Sequence, residues 1–117
     1  MKVWVSGACG YIGAALMRRL LIDHHQVVAF DSQIFGNGYL PDNGSLTIIK
    51  DDLRNSFALD ESLKGCDVII HLAGLTSDKS CQLYPDLAQT INADCLRVLN
   101  AMSHRIPRRI FLSSAAV

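Results

Sequence analysis

The sequence predicts a single α/β domain built on a doubly wound parallel sheet. Two observations carry this prediction. First, five short apolar runs rich in β-branched residues recur along the 117 residues, and they are continuously apolar rather than alternating, as is typical of parallel strands covered on both faces. Second, helical patterns lie between these runs. The predicted strands span residues 2–5, 26–30, 46–49, 68–72 and 109–112.

Amphipathic segments between the strands predict the helices. Ile12, Leu16 and Leu20 recur every four residues after the first strand, which predicts one helix there. A longer helix is predicted over 85–104, with Pro85 in its first turn. We expect a short helical turn over 56–63 and an irregular connection over 32–45. Right-handed crossovers then give the strand order 3-2-1-4-5.

Composition argues against several other classes. Eleven basic and eleven acidic residues cancel, so no overall field favours nucleic acid or an anionic membrane. The four cysteines form no CxxC pair and have no histidine at zinc-site spacing, so we expect reduced thiols and no metal. The strand-like start of the chain is too short for a signal peptide's apolar stretch, and no later segment approaches the length of a membrane span. We therefore expect a soluble, cytoplasmic protein.

The segment between the first strand and the first helix has the spacing of a phosphate-binding loop. Gly7, Gly10 and Gly13 form a GxxGxxG pattern. A diphosphate needs close backbone approach, free N–H donors and the positive end of a helix, and a Cβ would obstruct the turn or the helix–strand contact. Glycines also serve ordinary tight turns, but the flanking strand and helix favour nucleotide binding. No lysine completes a GxxxxGK[ST] loop.

Asp31 at the end of the second strand points to the kind of nucleotide. A carboxylate there can accept hydrogen bonds from both adenosine ribose hydroxyls and would repel a ribose phosphate, and residues 32–34 supply no arginine to compensate. The sequence therefore predicts NAD as cofactor. The structural alternative is an aspartate that starts a turn.

Several motifs in order resemble the extended short-chain dehydrogenase/reductases, and more narrowly the nucleotide-sugar epimerase/dehydratase group. They comprise the glycine loop with Asp31, then the segments 51–54 (DDLR), 71–74 (HLAG), Asn92 and 111–117 (FLSSAAV). The resemblance spans essentially the whole chain. It implies a Rossmann sheet that binds NAD through the loop residues Gly7, Gly10, Tyr11, Ile12 and Gly13.

The resemblance also implies contacts to the adenine ring. Asp52 and Leu53 match the two residues that contact adenine in a motif usually written GDLRD. Asp51 stands where that motif has glycine, a change that alters the turn but leaves Asp52 able to accept from the adenine amino group. The structural alternative is that these acids cap the following short helix.

Further cofactor contacts are implied after the fourth strand. Leu72, Ala73 and Gly74 match the segment that passes beneath the nicotinamide ribose and diphosphate, and Thr76 would line the same pocket. Asn92 matches an asparagine near the cofactor, with an exposed helix residue as an equal alternative.

By the same resemblance Ser114 is the catalytic serine, with Ser113 as its close competitor. His71 is expected to pack and satisfy a local hydrogen bond rather than bind metal or carry protons. Cys9 is expected to pack rather than act in redox chemistry.

The family's chemistry also needs a tyrosine and a lysine spaced YxxxK, and none of the three tyrosines in this chain has a lysine four residues later. We therefore expect a chain truncated before the YxxxK helix and the substrate domain, inactive alone, with an apolar edge near Ile110 and Leu112 that favours homo-oligomers. The alternatives are a non-catalytic dinucleotide sensor of the atypical short-chain group and a purely structural scaffold.

Overall fold

The computed structural model describes residues 1–31, 44–52, 54–72, 95–102 and 106–111. These contain five strands and three helices. In chain order they are β1 (Lys2–Ser6), α1 (Tyr11–Ile22), β2 (Gln26–Asp31), β3 (Leu46–Lys50), α2 (Ser56–Leu63), β4 (Val68–His71), α3 (Cys95–Met102) and β5 (Arg108–Phe111). The connection predicted over 32–45 and the first half of the helix predicted over 85–104 lie largely outside the described residues.

The five strands form one parallel sheet in the order β3-β2-β1-β4-β5, which confirms the prediction. Each predicted strand boundary lies within one residue of the observed one. Because all strands are parallel, the carboxyl ends of β1, β2, β3 and β4 meet at one edge of the sheet, where ligands bind in open α/β sheets.

Helices cover both faces of the sheet. Successive side chains of a strand point to opposite faces, so Trp4 packs against Leu59 of α2 and Leu99 of α3, whereas its neighbours Val3 and Val5 pack with Met17 of α1 on the other face. The outer strands are less covered: Ile48 on β3 is 44% exposed and Ile110 on β5 is 47% exposed.

A buried hydrogen bond ties α2 to the central strand. The indole Nε1 of Trp4 donates to Oγ of Ser62 at 2.8 Å, and that hydroxyl donates in turn to the carbonyl of Leu59 at 2.7 Å. Both polar groups are therefore satisfied inside the core, and the position of α2 over the sheet is fixed. None of the helices in the described part of the chain is long and apolar enough to cross a membrane.

Candidate functional site

The glycine loop turns the chain sharply from β1 into α1. Gly7 has φ +70°, a left-handed conformation that suits glycine. Its N–H donates to the carbonyl of Phe30 at the end of β2 at 3.0 Å, and its own carbonyl accepts from the N–H of Gly10 at 3.1 Å. The loop is thus held against the carboxyl edge of the sheet.

Gly13 lies where α1 packs on the loop. A Cβ at this position would overlap the carbonyl oxygen of Gly7 and would lie 2.8 Å from the Cα of Ala8. At Gly10 the same construction leaves 3.3 Å to the Gly7 oxygen, a tight contact rather than an overlap. The spacing of the glycines therefore has a steric cause in the structure, and it brings the start of α1 close to the loop backbone.

The first turn of α1 is suited to an anion. Gly10 is its N-cap and offers no side-chain cap, and the first turn contains no acidic residue. The first N–H groups of a helix have no partner within the helix and carry its positive partial charge. Tyr11 and Ile12, which occupy this turn, are 91% and 60% exposed. The start of α1 thus presents backbone donors at the sheet edge.

Asp31 lies directly beside the glycine loop. Its Oδ2 accepts from the N–H of Cys9 at 2.9 Å, and its backbone carbonyl accepts from the N–H of Asp51 at 3.1 Å. A carboxylate has about four acceptor positions, so this bond is compatible with further donors from a ligand. The structure brings the predicted glycine loop and the predicted carboxylate together.

Asp51 and Asp52 follow β3 at the same edge. Oδ1 of Asp51 accepts from the N–H of Asp52 at 2.7 Å and from Nδ2 of Asn55 at 3.2 Å. The cap of α2 is Asn55, whose side chain accepts from the N–H of Ala58. The alternative interpretation, that the two acids cap this helix, is therefore wrong, because Asn55 directly precedes the first residue of α2.

The Asp52 carboxylate forms an ion pair with Arg54. Two guanidinium nitrogens bind its two oxygens, at 3.0 Å and 2.6 Å. Hydrogen bonding from Arg54 lowers the pKa of Asp52, against a smaller opposing effect of burial. Asp52 is thus an ionised acceptor at neutral pH.

His71 lies inside the sheet edge, as expected, and forms a local hydrogen bond. Its Nδ1 is 2.7 Å from Oγ of Ser6, and that hydroxyl oxygen accepts from the N–H of Leu72 at 3.1 Å. The imidazole packs edge-on against Phe111. Burial lowers the pKa of His71 to about 4. The side chain is therefore neutral at physiological pH.

Ser6 is a residue of the site that the sequence argument missed. It is fully buried at the end of β1, and its hydroxyl joins β1 to the last residue of β4 and to Leu72 beyond it. Its position immediately before the first glycine was the one available signal. Its contact with His71, 65 residues away, could not be read from spacing.

Cys9 is buried within the loop. Burial, with a smaller effect of the Asp31 charge, raises the pKa of its thiol to about 11. A thiol that stays protonated is a poor nucleophile, which agrees with the expected packing role. Among the residues that the structure describes, no three metal-binding side chains come together.

The remaining predicted site residues lie outside the described part of the chain. These residues are Leu53, Ala73, Gly74, Thr76, Asn92, Ser113 and Ser114. Of the predicted cofactor residues, the structure places at the carboxyl edge Gly7, Gly10, Tyr11, Ile12, Gly13, Asp31, Asp52 and Leu72.

A parallel sheet in this order, with a glycine turn leading into a helix at its carboxyl edge, defines a Rossmann-type α/β protein. The sequence profile of the NAD dependent epimerase/dehydratase family matches residues 3–117. The chain belongs to that family.

Individual relatives agree with this assignment. A protein of Bacillus subtilis named as an uncharacterized UDP-glucose epimerase, YtcB, is 34% identical over the whole chain, which covers 41% of that protein. A UDP-N-acetylglucosamine 4-epimerase from Methanobrevibacter ruminantium M1, solved with UDP-N-acetylmuramic acid, superposes with a TM-score of 0.90 at 33% identity over 99% of this chain and 38% of its own. MoeE5, solved with UDP-glucuronic acid and NAD, gives a TM-score of 0.87 at 29% identity, covering 100% of this chain and 38% of its own. The chain thus spans less than half the length of these relatives.

Proposed function

We propose that this chain is the NAD-binding portion of a nucleotide-sugar epimerase/dehydratase-type oxidoreductase. The observation that carries the proposal is the contact between Asp31 and the glycine loop. It supports the proposal because a carboxylate in this position would accept from ribose hydroxyls beside the loop and helix that would hold the diphosphate. Family membership and the NAD seen with MoeE5 support the same cofactor.

The residues present fit a dinucleotide. A Cβ at Gly13 would fill the space that lets α1 approach the loop, and the uncapped first turn of α1 offers N–H donors to a diphosphate. Asp52 is an acceptor without a proton to donate, which suits an adenine amino group. When bound, the nicotinamide supplies hydride transfer.

The chain's own groups would bind and orient rather than carry out the chemistry. Asp31 would accept from the ribose hydroxyls, and the buried Ser6 hydroxyl holds the backbone of Leu72 at the β4 exit. By the family resemblance we propose Ala73, Gly74 and Thr76 beneath the nicotinamide half.

Three further residues are carried over from the family in the same way. Leu53 is proposed for the adenine ring, Asn92 for the cofactor and Ser114 for a hydrogen bond to the reacting sugar oxygen. The proposed substrate class is a nucleotide sugar, as in the names of the relatives. Since this chain holds no YxxxK pair, we propose that by itself it binds the dinucleotide without completing the reaction.

Titration calorimetry with NAD and NADP tests the assignment. We expect tighter binding of NAD, because the Asp31 carboxylate accepts from a ribose hydroxyl and repels a ribose phosphate. Asp31→Ala should weaken NAD binding about tenfold or more, which corresponds to the free energy of hydrogen bonds to a charged group. The same substitution should reduce the difference between the affinities for NAD and NADP.

Asp23→Ala is the matched control. Asp23 lies at the far end of α1, where it pairs with Arg19 on the surface, so its loss should leave both affinities unchanged. Wild-type protein that binds neither dinucleotide refutes the proposed function. An Asp31→Ala variant whose preference for NAD over NADP is unchanged refutes the assigned role of Asp31.

A further inference from the structure

Arg54 binds the carboxylate of Asp52 at two points. Its Nε donates to Oδ1 at 3.0 Å and its Nη2 to Oδ2 at 2.6 Å, and its backbone N–H also donates to Oδ1 at 2.8 Å. The planar fork of a guanidinium matches a carboxylate and fixes the orientation of both groups. One residue therefore sets the rotation of the Asp52 side chain.

These contacts divide the acceptor positions of the carboxylate unequally. Within the described part of the chain, Oδ1 accepts two hydrogen bonds and Oδ2 accepts one. A carboxylate offers about four acceptor positions, two on each oxygen, so the position that is left is on Oδ2. The Asp52 side chain is 31% exposed, and a ligand at the sheet edge can therefore reach it.

The backbone of Asp52 is held as firmly as its side chain. Its N–H donates to Oδ1 of Asp51 at 2.7 Å, and its carbonyl accepts from the N–H of Asn55 at 2.9 Å. Asp51 binds the Asn55 side chain as well. An acceptor fixed before the ligand arrives loses little conformational freedom on binding, which favours affinity and selectivity.

We propose that Arg54 is a positioning residue for base recognition, which directs Oδ2 of Asp52 toward the exocyclic amino group of adenine. Arg54 acts through Asp52 and does not contact the base. The proposal rests on the proposed function, since it requires the adenosine half of the dinucleotide to lie at the ends of β2 and β3. It goes beyond the family resemblance, which assigns the adenine contact to Asp52 and Leu53 alone.

The ion pair between Arg54 and Asp52 lies near the surface. Arg54 is half exposed, and exposed ion pairs contribute little to folding stability. α2 has its own cap in Asn55, so the arginine is not needed to start the helix. Removing the guanidinium should therefore leave the fold intact and act on the freedom of the Asp52 carboxylate.

The test compares NAD with nicotinamide hypoxanthine dinucleotide, in which a keto oxygen replaces the adenine amino group. Wild-type protein should prefer NAD, because a carboxylate accepts from an amino group and repels a keto oxygen. Arg54→Ala should reduce this preference about tenfold, the value of one hydrogen bond to a charged group. Arg54→Lys should recover only part of it, because one ammonium cannot bind both oxygens as a fork does.

The ratio of the two affinities separates positioning from general damage, since a loosened fold weakens both dinucleotides alike. Arg19→Ala, which removes another exposed arginine paired with an aspartate, should keep the wild-type ratio. A preference unchanged in Arg54→Ala overturns the role of Arg54 while the proposed function stands. Equal binding of both dinucleotides by the wild type also overturns the role of Arg54, because Asp52 then does not distinguish the amino group from a keto oxygen. Binding of neither overturns both proposals.

Discussion

A Gly13→Ala variant is expected to lose NAD affinity by about tenfold or more and to unfold with about 1–3 kcal/mol less free energy than the wild type. The added methyl group would overlap the carbonyl oxygen of Gly7 and press on the backbone of Ala8. Neither contact is the end of a flexible side chain, so α1 must move away from the loop. That movement shifts the helix N-terminus away from the loop, so NAD affinity and folding stability should fall together.

The matched control is Gly44→Ala. A Cβ at Gly44 meets nothing within 4 Å, so alanine there should be neutral or stabilise by at most about 1 kcal/mol through the unfolded chain. In Gly10→Ala the added Cβ would lie 3.3 Å from the Gly7 oxygen, so the losses of NAD affinity and stability should be smaller than in Gly13→Ala and larger than in Gly44→Ala. Calorimetric titration measures the NAD affinity of each variant, and thermal unfolding measures its stability. A Gly13→Ala protein that binds and melts like the wild type would contradict the proposed packing of helix on loop.

Acidification from pH 6.5 to 4 is expected to destabilise the protein by about 3 kcal/mol through His71 alone. Burial lowers the pKa of His71 to about 4 in the folded state, from 6.5 in the unfolded chain. Between these values the unfolded state binds the extra proton, so stability falls as the pH falls. Above pH 6.5 this contribution is complete, and below about pH 4 it is lost.

Unfolding of His71→Gln by urea at several pH values isolates this contribution. Glutamine can still pair with the Ser6 hydroxyl but does not titrate, so the difference in stability between wild type and variant should shrink by about 3 kcal/mol from pH 7 to pH 4. The control is His24→Asn, at an exposed position with φ +64° that asparagine tolerates. The unfolding free energy of this variant should vary with pH as that of the wild type does. Parallel pH curves for wild type and His71→Gln would show that His71 is not buried as described.

The pattern of apolar runs was enough to predict the sheet, because β1, β2 and β4 are buried on both faces and carry an uninterrupted signal. The glycine spacing and Asp31 were equally readable, since each obeys a local steric or positional demand. The contacts between strand ends could not be predicted from the sequence. Which side chains meet there, as Ser6 meets His71, depends on how strands distant in sequence are registered.

The 51–55 segment shows the same limit at short range. Family resemblance indicated Asp52 as an adenine contact, but not that Arg54 binds both of its oxygens. The N-cap of α2 is Asn55 and not Asp51 or Asp52. The four polar residues of this segment, Asp51, Asp52, Arg54 and Asn55, can each cap, pair or bind a ligand, and only the backbone path of the turn decides among these roles.

The most direct test of the account is the backbone amide NMR spectrum recorded during addition of NAD. If the dinucleotide binds where we propose, the largest shifts should fall on the amides of the loop between Gly7 and Gly13, on Asp31 and on Asp52. The amides at the opposite edge of the sheet, such as those of Lys2 and Asp67, should stay unchanged. Saturable shifts centred on that opposite edge, or no shifts at all, would contradict the central claim.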